Sequence, residues 1–408
     1  MKNLIFPLAF IIVLAATSCK KDAPQGPGQP KAIDLPAKGG EVISGSNAFG
    51  IELFSLTAQA GQTNLMLSPL SASTALTMLL NGCSTQTYDQ IRGMLGYDSL
   101  AIGDINAAYS SLVSQLLNVD PGVNLALANA VFYRDNFTVR TPFLDAMNQS
   151  FQAEITGLDF NSPTALAAIN GWAKEHTNGK IEKVLDEIDP MAVMFLMNAL
   201  YFKGTWTYKF GQDSYNGPFY PETGGEKTVV YMHDLIPLKT FSTSNASVVE
   251  LPYGNQNFAM DVILPDGGIS DYLSVFDNEE WAAVTSGLDA LTDPVEVNMI
   301  MPRFKFSYEK YLNDQLMALG MTDAFIPDLA DLSGISDEDI YVSFVKQNTF
   351  VEVNEDGTEA AAVTTIGINV TSIGDPVTFT VDRPFIFAIR ERTTNTLLFI
   401  GKVEVPEE

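Results

Sequence analysis

Residues 355–374, EDGTEAAAVTTIGINVTSIG, constrain this chain more than any other stretch. Read with period two, Thr358, Ala360, Ala362, Thr364, Ile366, Ile368 and Val370 share one face. Every one is small or β-branched, and none is charged, as the buried side of a half-buried strand requires. Glu359, Ala361, Val363, Thr365, Gly367, Asn369 and Thr371 form the other face. Gly357 and Gly367 weaken a permanent strand, and no turn signal closes the stretch before Gly374. Two readings stay open on periodicity alone. One is a solvated surface loop, which at this length in a compact domain is either functional or disordered. The other is a strand in waiting, a loop now and a strand later. The flanks favour the second: 340–354 is rich in Val and Phe, and 377–381, 384–390 and 397–403 are strand-like. The stretch interrupts a region that is otherwise continuously β-rich.

The N-terminus reads as a targeting segment. Lys2 is followed by an apolar run over 4–16, too short to span a bilayer, and Ala16-Thr17-Ser18 precede Cys19. That pattern resembles a bacterial lipoprotein signal over 1–18 with Cys19 as the lipidated residue; an ordinary secretory leader is the other reading. Export and lipid anchoring to the bacterial cell envelope, facing the periplasm or the surface, follow from the first. Residues 19–45 carry Pro24, Pro27, Pro30 and Pro36 and read as a stiffened tether before one domain over 46–408. Cys83 is the only other cysteine, so no disulfide framework supports the fold. It is expected as a small buried hydrophobe.

Composition removes several function classes. The net charge of −26 repels nucleic acid and anionic membranes. Hydrolase chemistry needs a nucleophile, a base and an orienting group. The chain has two histidines, His176 and His233, and neither HExxH nor G-x-S-x-G occurs. No CxxC, Ca²⁺-binding loop spacing or glycine-rich phosphate loop is found. No enzyme activity, catalytic residue, metal or cofactor is expected.

Eight motifs in order carry a family resemblance: NLMLSPLSASTALTMLLNG (64–82), LANAVFYRDNF (127–137), INGWAKEHTNGKI (169–181), FLMNALYFKGTW (195–206), VVELPY (248–253), MPRFKF (301–306), VEVNEDGTEAAAVT (351–364) and DRPFIFAI with LLFIGKV (382–403). Over roughly 47–406 the chain resembles the serpins. The resemblance implies an α+β fold with a large central mixed β-sheet, two further sheets, eight or nine helices and an exposed reactive-centre loop at about 357–376. It implies a suicide-substrate inhibitor that traps an endopeptidase as an acyl-enzyme while the cut loop inserts into the central sheet. The matching hinge residues are Glu355, Gly357, Thr358, Glu359, Ala360, Ala361 and Ala362. Ser68, Ser71, Asn198, Trp206 and Arg303 match positions that let the sheet open, Arg303 pairing with Glu355. Gln347 stands where the family often has a histidine. Fifteen residues from Gly357 inclusive reach Thr371, giving Thr371–Ser372 as the reactive bond; counting back from Pro384 suggests Ile373. Val370 and Ile373 are the neighbouring specificity residues.

No Lys or Arg lies in the loop, so the expected targets are elastase-like or subtilisin-like serine proteases, with papain-like cysteine proteases as a further class. None lies between Arg92 and Arg134 either, where heparin-dependent serpins carry a basic helix, so no heparin-type cofactor is expected. The protein is expected to be a monomer. The alternative is a non-inhibitory serpin acting as a binding or structural module. Such members usually carry charged, bulky or Pro residues in the hinge, whereas 358–371 has one charge, Glu359, on the outward face, and no Pro.

Overall fold

The computed structural model describes residues 28–61, 64–359 and 376–407. The first half runs α1 (Gly39–Gln59), β1 (Leu65–Leu67), α2 (Pro69–Leu80), α3 (Thr85–Met94), α4 (Ile102–Leu116), β2 (Val123–Arg134), α5 (Thr141–Phe151), β3 (Glu154–Leu158), α6 (Pro163–His176) and β4 (Met194–Thr205). Then come β5 (Tyr215–Phe219), β6 (Lys227–Ser242), β7 (Ala246–Pro252), β8 (Phe258–Pro265), α7 (Ile269–Leu273), α8 (Asn278–Ala290), β9 (Val295–Pro302), β10 (Phe304–Tyr311) and α9 (Asn313–Ala318). The last strands are β11 (Lys346–Asn354), β12 (Gly357–Thr358), β13 (Val377–Thr380), β14 (Phe385–Glu391) and β15 (Thr396–Val403).

Local chemistry starts the helices. Ser68 caps α2 by accepting from the Ser71 amide at 3.2 Å, and Pro69 occupies the first helical turn. Ser162 and Pro163 repeat the device at α6, and Asp277 receives the Glu279 and Glu280 amides at α8. Among the described residues, the strands form an α+β arrangement of two hydrogen-bonded sheets. One has six strands in the order β10-β11-β12-β4-β2-β3, antiparallel except for the parallel β2–β3 pair. The other follows β1-β15-β14-β8-β7-β6-β9-β13, with β5 on β6. Its turning point is β6, whose end at 239–242 pairs β7 while 231–238 pairs β9. The two further sheets expected beside the central one therefore share this strand. β14 and β15 are buried along their whole length, the apolar runs of strands covered on both faces.

Packing places the six-stranded sheet between two apolar layers. Trp172 and Ile169 of α6 cover one face, against Ala130, Phe132 and Phe195. Phe202, Val351 and Val353 on the other face meet Val262, Phe387 and Phe399 of the second sheet. α1 and α2 close the core behind β14 and β15 through Phe49, Phe54 and Leu76 against Ile386 and Ile400. Cys83 is buried here, its thiol directed at the Leu79 carbonyl at 3.2 Å.

The proposed tether over 19–45 needs correction in its second half. The Lys31 amide donates to Asn257 Oδ1 at 2.8 Å, Ile33 is buried, and α1 already begins at Gly39. Pro36 stands just before the helix, and Val42, Ile43, Phe49 and Gly50 form its buried stripe. Four prolines suggested a linker; the apolar periodicity beginning at Val42 carries more weight.

Candidate functional site

β12 is two residues long, yet it sits between two strands and pairs with both. Gly357 faces Asn354 on β11 and Thr205 on β4; Thr358 faces Val353 and Gly204. The Glu359 amide extends the ladder by one bond, to the Glu352 carbonyl at 2.9 Å. Past that point, the facing edges of β11 and β4 carry no ladder to each other or to another described residue. Just past the row, a cavity between the strands is lined by Thr177 and Lys180 on the α6 side and by Met66, Ile389 and Phe399 on the core side. Among the described residues the six-stranded sheet is thus parted, with the hinge wedged into one end of the gap.

Gly357 is required by backbone geometry. Its φ is +148°, and a Cβ there would lie 2.0 Å from the Gly204 carbonyl oxygen. Thr358 turns into the core at 3% exposure, and its hydroxyl lies 2.6 Å from the Tyr253 hydroxyl. Tyr253 stacks on Trp206 with ring centroids 4.4 Å apart and planes 13° apart. Trp206, itself buried, ties the hinge to the core: its indole N–H donates to the Asn354 carbonyl at 2.9 Å and its amide to the Asp356 carbonyl at 3.0 Å.

The base of the hinge is held by charge. Arg303 Nε donates to Glu355 Oε1 at 2.7 Å, and the Ser214 hydroxyl donates to the same oxygen. Burial pushes this carboxyl up, but the hydrogen bonds from Ser214 and Arg303 outweigh it and hold the group below the usual carboxylate range. Lys209 Nζ pairs with Asp356 at 2.9 Å. Glu359 points to the opposite face from Thr358, as its place in the alternation requires. That face is not solvated: the Glu359 side chain is only 5% exposed, with Lys180 Nζ at 3.5 Å and the Tyr201 hydroxyl as hydrogen-bond partner. Burial raises its carboxyl pKa against the pull of both partners.

Farther along the gap, Gln347 grips the N-cap of α2. Its Nε2 donates to the Ser68 carbonyl and its Oε1 accepts the Ser68 amide, each at 2.9 Å. Ser68 Oγ donates to the Leu398 carbonyl at 2.8 Å, and Ser71 joins through its amide. Asn198 belongs to a different set. Its Nδ2 donates to Asn129 Oδ1 at 2.7 Å, and Asn129 donates in turn to the Tyr109 hydroxyl and the Phe151 carbonyl. Asn198 Oδ1 is buried with no partner among the described residues. The two sets face each other across the gap: Gln347 is six residues from Val353, and Asn198 is six from Gly204, along strands that share the Val353–Thr358–Gly204 row.

Cys19, Ala360, Ala361, Ala362, Val370, Thr371, Ser372 and Ile373 lie outside the described residues. Four participants were not anticipated. Tyr253 ends the VVELPY strand, and an aromatic there was the one available signal. Ser214, Lys180 and Tyr201 reach the hinge only through tertiary contacts.

Comparison with known proteins gives this arrangement its family. The Serpin (serine protease inhibitor) family model matches residues 44–406. Leukocyte elastase inhibitor of Xenopus tropicalis is 34% identical, over 88% of this chain and 97% of that protein. Among solved structures, the thermophilic serpin Tengpin in its native state is similar at a TM-score of 0.81 and 31% identity, covering 93% of this chain and 97% of that one. Thyroxine-binding globulin in complex with thyroxine is similar at a TM-score of 0.79 and 25% identity, over 90% and 99% of the two chains. The chain belongs to the serpin family.

Proposed function

We propose that this protein is a suicide-substrate inhibitor of endopeptidases. One observation carries the reading: the hinge at Gly357–Thr358 is laddered to both β11 and β4, and past it the facing edges of those two strands carry no ladder to each other or to another described residue. A strand continuing from Thr358 in the same register would meet Val351 and Phe202 next, then Thr349 and Leu200, and then Gln347 and Asn198. Residues 360, 362 and 364 would face inward there: two alanines and a threonine, small enough to thread the gap. Each new ladder bond contributes about 0.5–1.5 kcal/mol. A protease acylated on the loop would be displaced as the strand forms, before its deacylation completes; serpin loop insertion is a known example of such a switch.

Thr371–Ser372 is the bond we assign to cleavage, flanked by Val370 and Ile373, with elastase-like, subtilisin-like and papain-like proteases as targets. The similarity to leukocyte elastase inhibitor supports an elastase-type partner. Lipidation at Cys19 would hold the inhibitor at the cell envelope. Thyroxine-binding globulin shows that the fold also serves a binding protein. The small, uncharged inward residues of this hinge favour the inhibitor.

Incubation with pancreatic elastase or subtilisin tests the reading. The expected product is an SDS-stable adduct of protease and chain, plus a released peptide starting at Ser372. Complete cleavage of the loop with a fully active protease would refute inhibition and support the binding module.

A further inference from the structure

Near the hinge row lies a buried carboxylate that backbone amides hold, where a cation would be the usual partner. Asp120 sits in the short link between α4 and β2 and is 4% exposed. Its Oδ1 accepts the Gly122 amide at 2.8 Å and its Oδ2 the Asn255 amide at 2.9 Å, with the Asn257 amide as a third donor. Burial pushes its pKa up, against the pull of those amides, so the fold carries this charge at a cost.

Two of those amides belong to one turn. Asn255 and Asn257 join β7 to β8 and come directly after Tyr253, whose hydroxyl meets that of Thr358 at 2.6 Å. Gly254 packs on the carboxylate itself: its φ is +47°, and a Cβ there would lie 2.3 Å from Asp120 Oδ1. The Gly254 amide donates to the Thr205 carbonyl at 2.9 Å, and Thr205 is the residue of β4 that faces Gly357. Thr207 takes the carbonyls of the same turn, its amide donating to Pro252 at 2.8 Å and its hydroxyl to Gly254 at 3.1 Å. Tyr253 therefore stands between two sets of bonds, one on the carbonyls around it and one on the amides after it. Asp120 supplies the second set.

We infer that Asp120 is a positioning residue for the hinge: by fixing the turn that follows Tyr253, it holds the Tyr253 hydroxyl where Thr358 meets it at the first step of insertion. Asp120 acts through Tyr253 and not on Thr358 directly. A carboxylate suits the place because both of its oxygens accept and neither donates. An asparagine of nearly the same shape turns an NH₂ group toward one of the two amides. The consequence for trapping a protease rests on the proposed function; the placement of Tyr253 does not.

The test is Asp120→Asn in the full chain, alone and together with Tyr253→Phe, which deletes the hydroxyl and keeps a ring against Trp206. Hydrogen exchange of the intact protein is read at Thr358 and at the amides of β14 and β15. Asp120→Asn should speed exchange at Thr358 about tenfold, equivalent to about one hydrogen bond, and leave β14 and β15 as in the parent. With Tyr253→Phe already present it should add less than about twofold, because the two residues act on one contact. With pancreatic elastase, the ratio of SDS-stable adduct to cleaved chain should fall alongside. Unchanged exchange at Thr358 would overturn the inference. So would equal acceleration in β14 and β15, which makes Asp120 a general support of the fold, or a full tenfold step on top of Tyr253→Phe, which routes its effect elsewhere. A ratio unmoved by faster exchange would also overturn it, by detaching the contact from insertion. If Asp120→Asn does not fold, Gly254→Ala, whose methyl presses on the same carboxylate, is held to the same criteria. If parent and variant alike give only cleaved chain, the inhibitory reading fails, and exchange at Thr358 still decides the role of Asp120.

Discussion

Replacing Thr358 with arginine puts the hinge mechanism under the most direct strain. Thr358 is buried, laddered on both sides and bonded to Tyr253. The protein shows what a buried arginine needs: Arg390 is enclosed by Glu250 at 2.9 Å, Asp261 at 2.7 Å and Asp289 at 3.0 Å. Around the inward side of Thr358 stand Tyr253, Gly204 and Val353, with no carboxylate; Glu352 and Glu359 lie on the other face. The arginine must therefore stay out, and the hinge with it. Leaving the Tyr253 hydroxyl unpartnered costs about 1–3 kcal/mol, and each forfeited ladder bond about 1 kcal/mol. A loss of about 3–4 kcal/mol at the first step of insertion slows it roughly a hundredfold to a thousandfold. Deacylation is untouched, because the bond under attack is unchanged. The race between the two then reverses. The variant should be cleaved at the same bond as the parent, with the SDS-stable adduct largely gone, in a gel assay at equal protease and inhibitor. Thr358→Ser keeps the hydroxyl and should retain most adduct. If Thr358→Arg yields as much adduct as the parent, inhibition does not proceed through insertion at this hinge.

Two further outcomes follow from the same geometry. Gly357→Ala brings a Cβ within 2.0 Å of the Gly204 carbonyl oxygen, so the hinge should leave the sheet; loss of Thr358 amide protection in hydrogen exchange and a shift in Trp206 emission would register it, and unchanged protection would refute it. Acid should act in two stages. The Glu359 carboxyl has a raised pKa, so its charged form weakens the seated hinge, and protection at Thr358 should rise as pH falls through the upper carboxylate range. The Glu355 pKa is depressed, so its contribution is present above the ordinary carboxylate pKa and is lost as pH falls through the lower, folded value; protection should then drop. Glu359→Gln should remove the first stage and Glu355→Gln the second.

How much of this was legible in the sequence depends on the range of the interaction. The Val- and Phe-rich run at 340–354 and the strand-like runs at 384–390 and 397–403 are local patterns; the last two became strands, and of the first the part from Lys346 to Asn354 did. Gly357 is named as a hinge residue by the family resemblance, while the pattern alone says only that it weakens a permanent strand. The reason it must be glycine, a carbonyl of β4 pressed against it, is a contact across more than a hundred residues. Glu359 shows the limit of periodicity most clearly. Alternation assigned it to the outward face and suggested solvent there. The face is right, but Lys180, at the end of the α6 segment, covers it. A charge on a strand reports which side it faces and says nothing about what the rest of the chain lays over that side. The same holds for Gln347. The resemblance says only that it stands where the family often has a histidine; in the structure its amide takes both the N–H and the C=O of Ser68 in one bidentate grip. An imidazole offers one donor and one acceptor on opposite sides of its ring and cannot make that paired contact with the N–H and C=O of a single residue. Glutamine also does not titrate, so the grip on α2, level with Asn198 across the gap, holds at any pH at which the fold survives. In this chain the acid sensitivity of the hinge is left to Glu355 and Glu359.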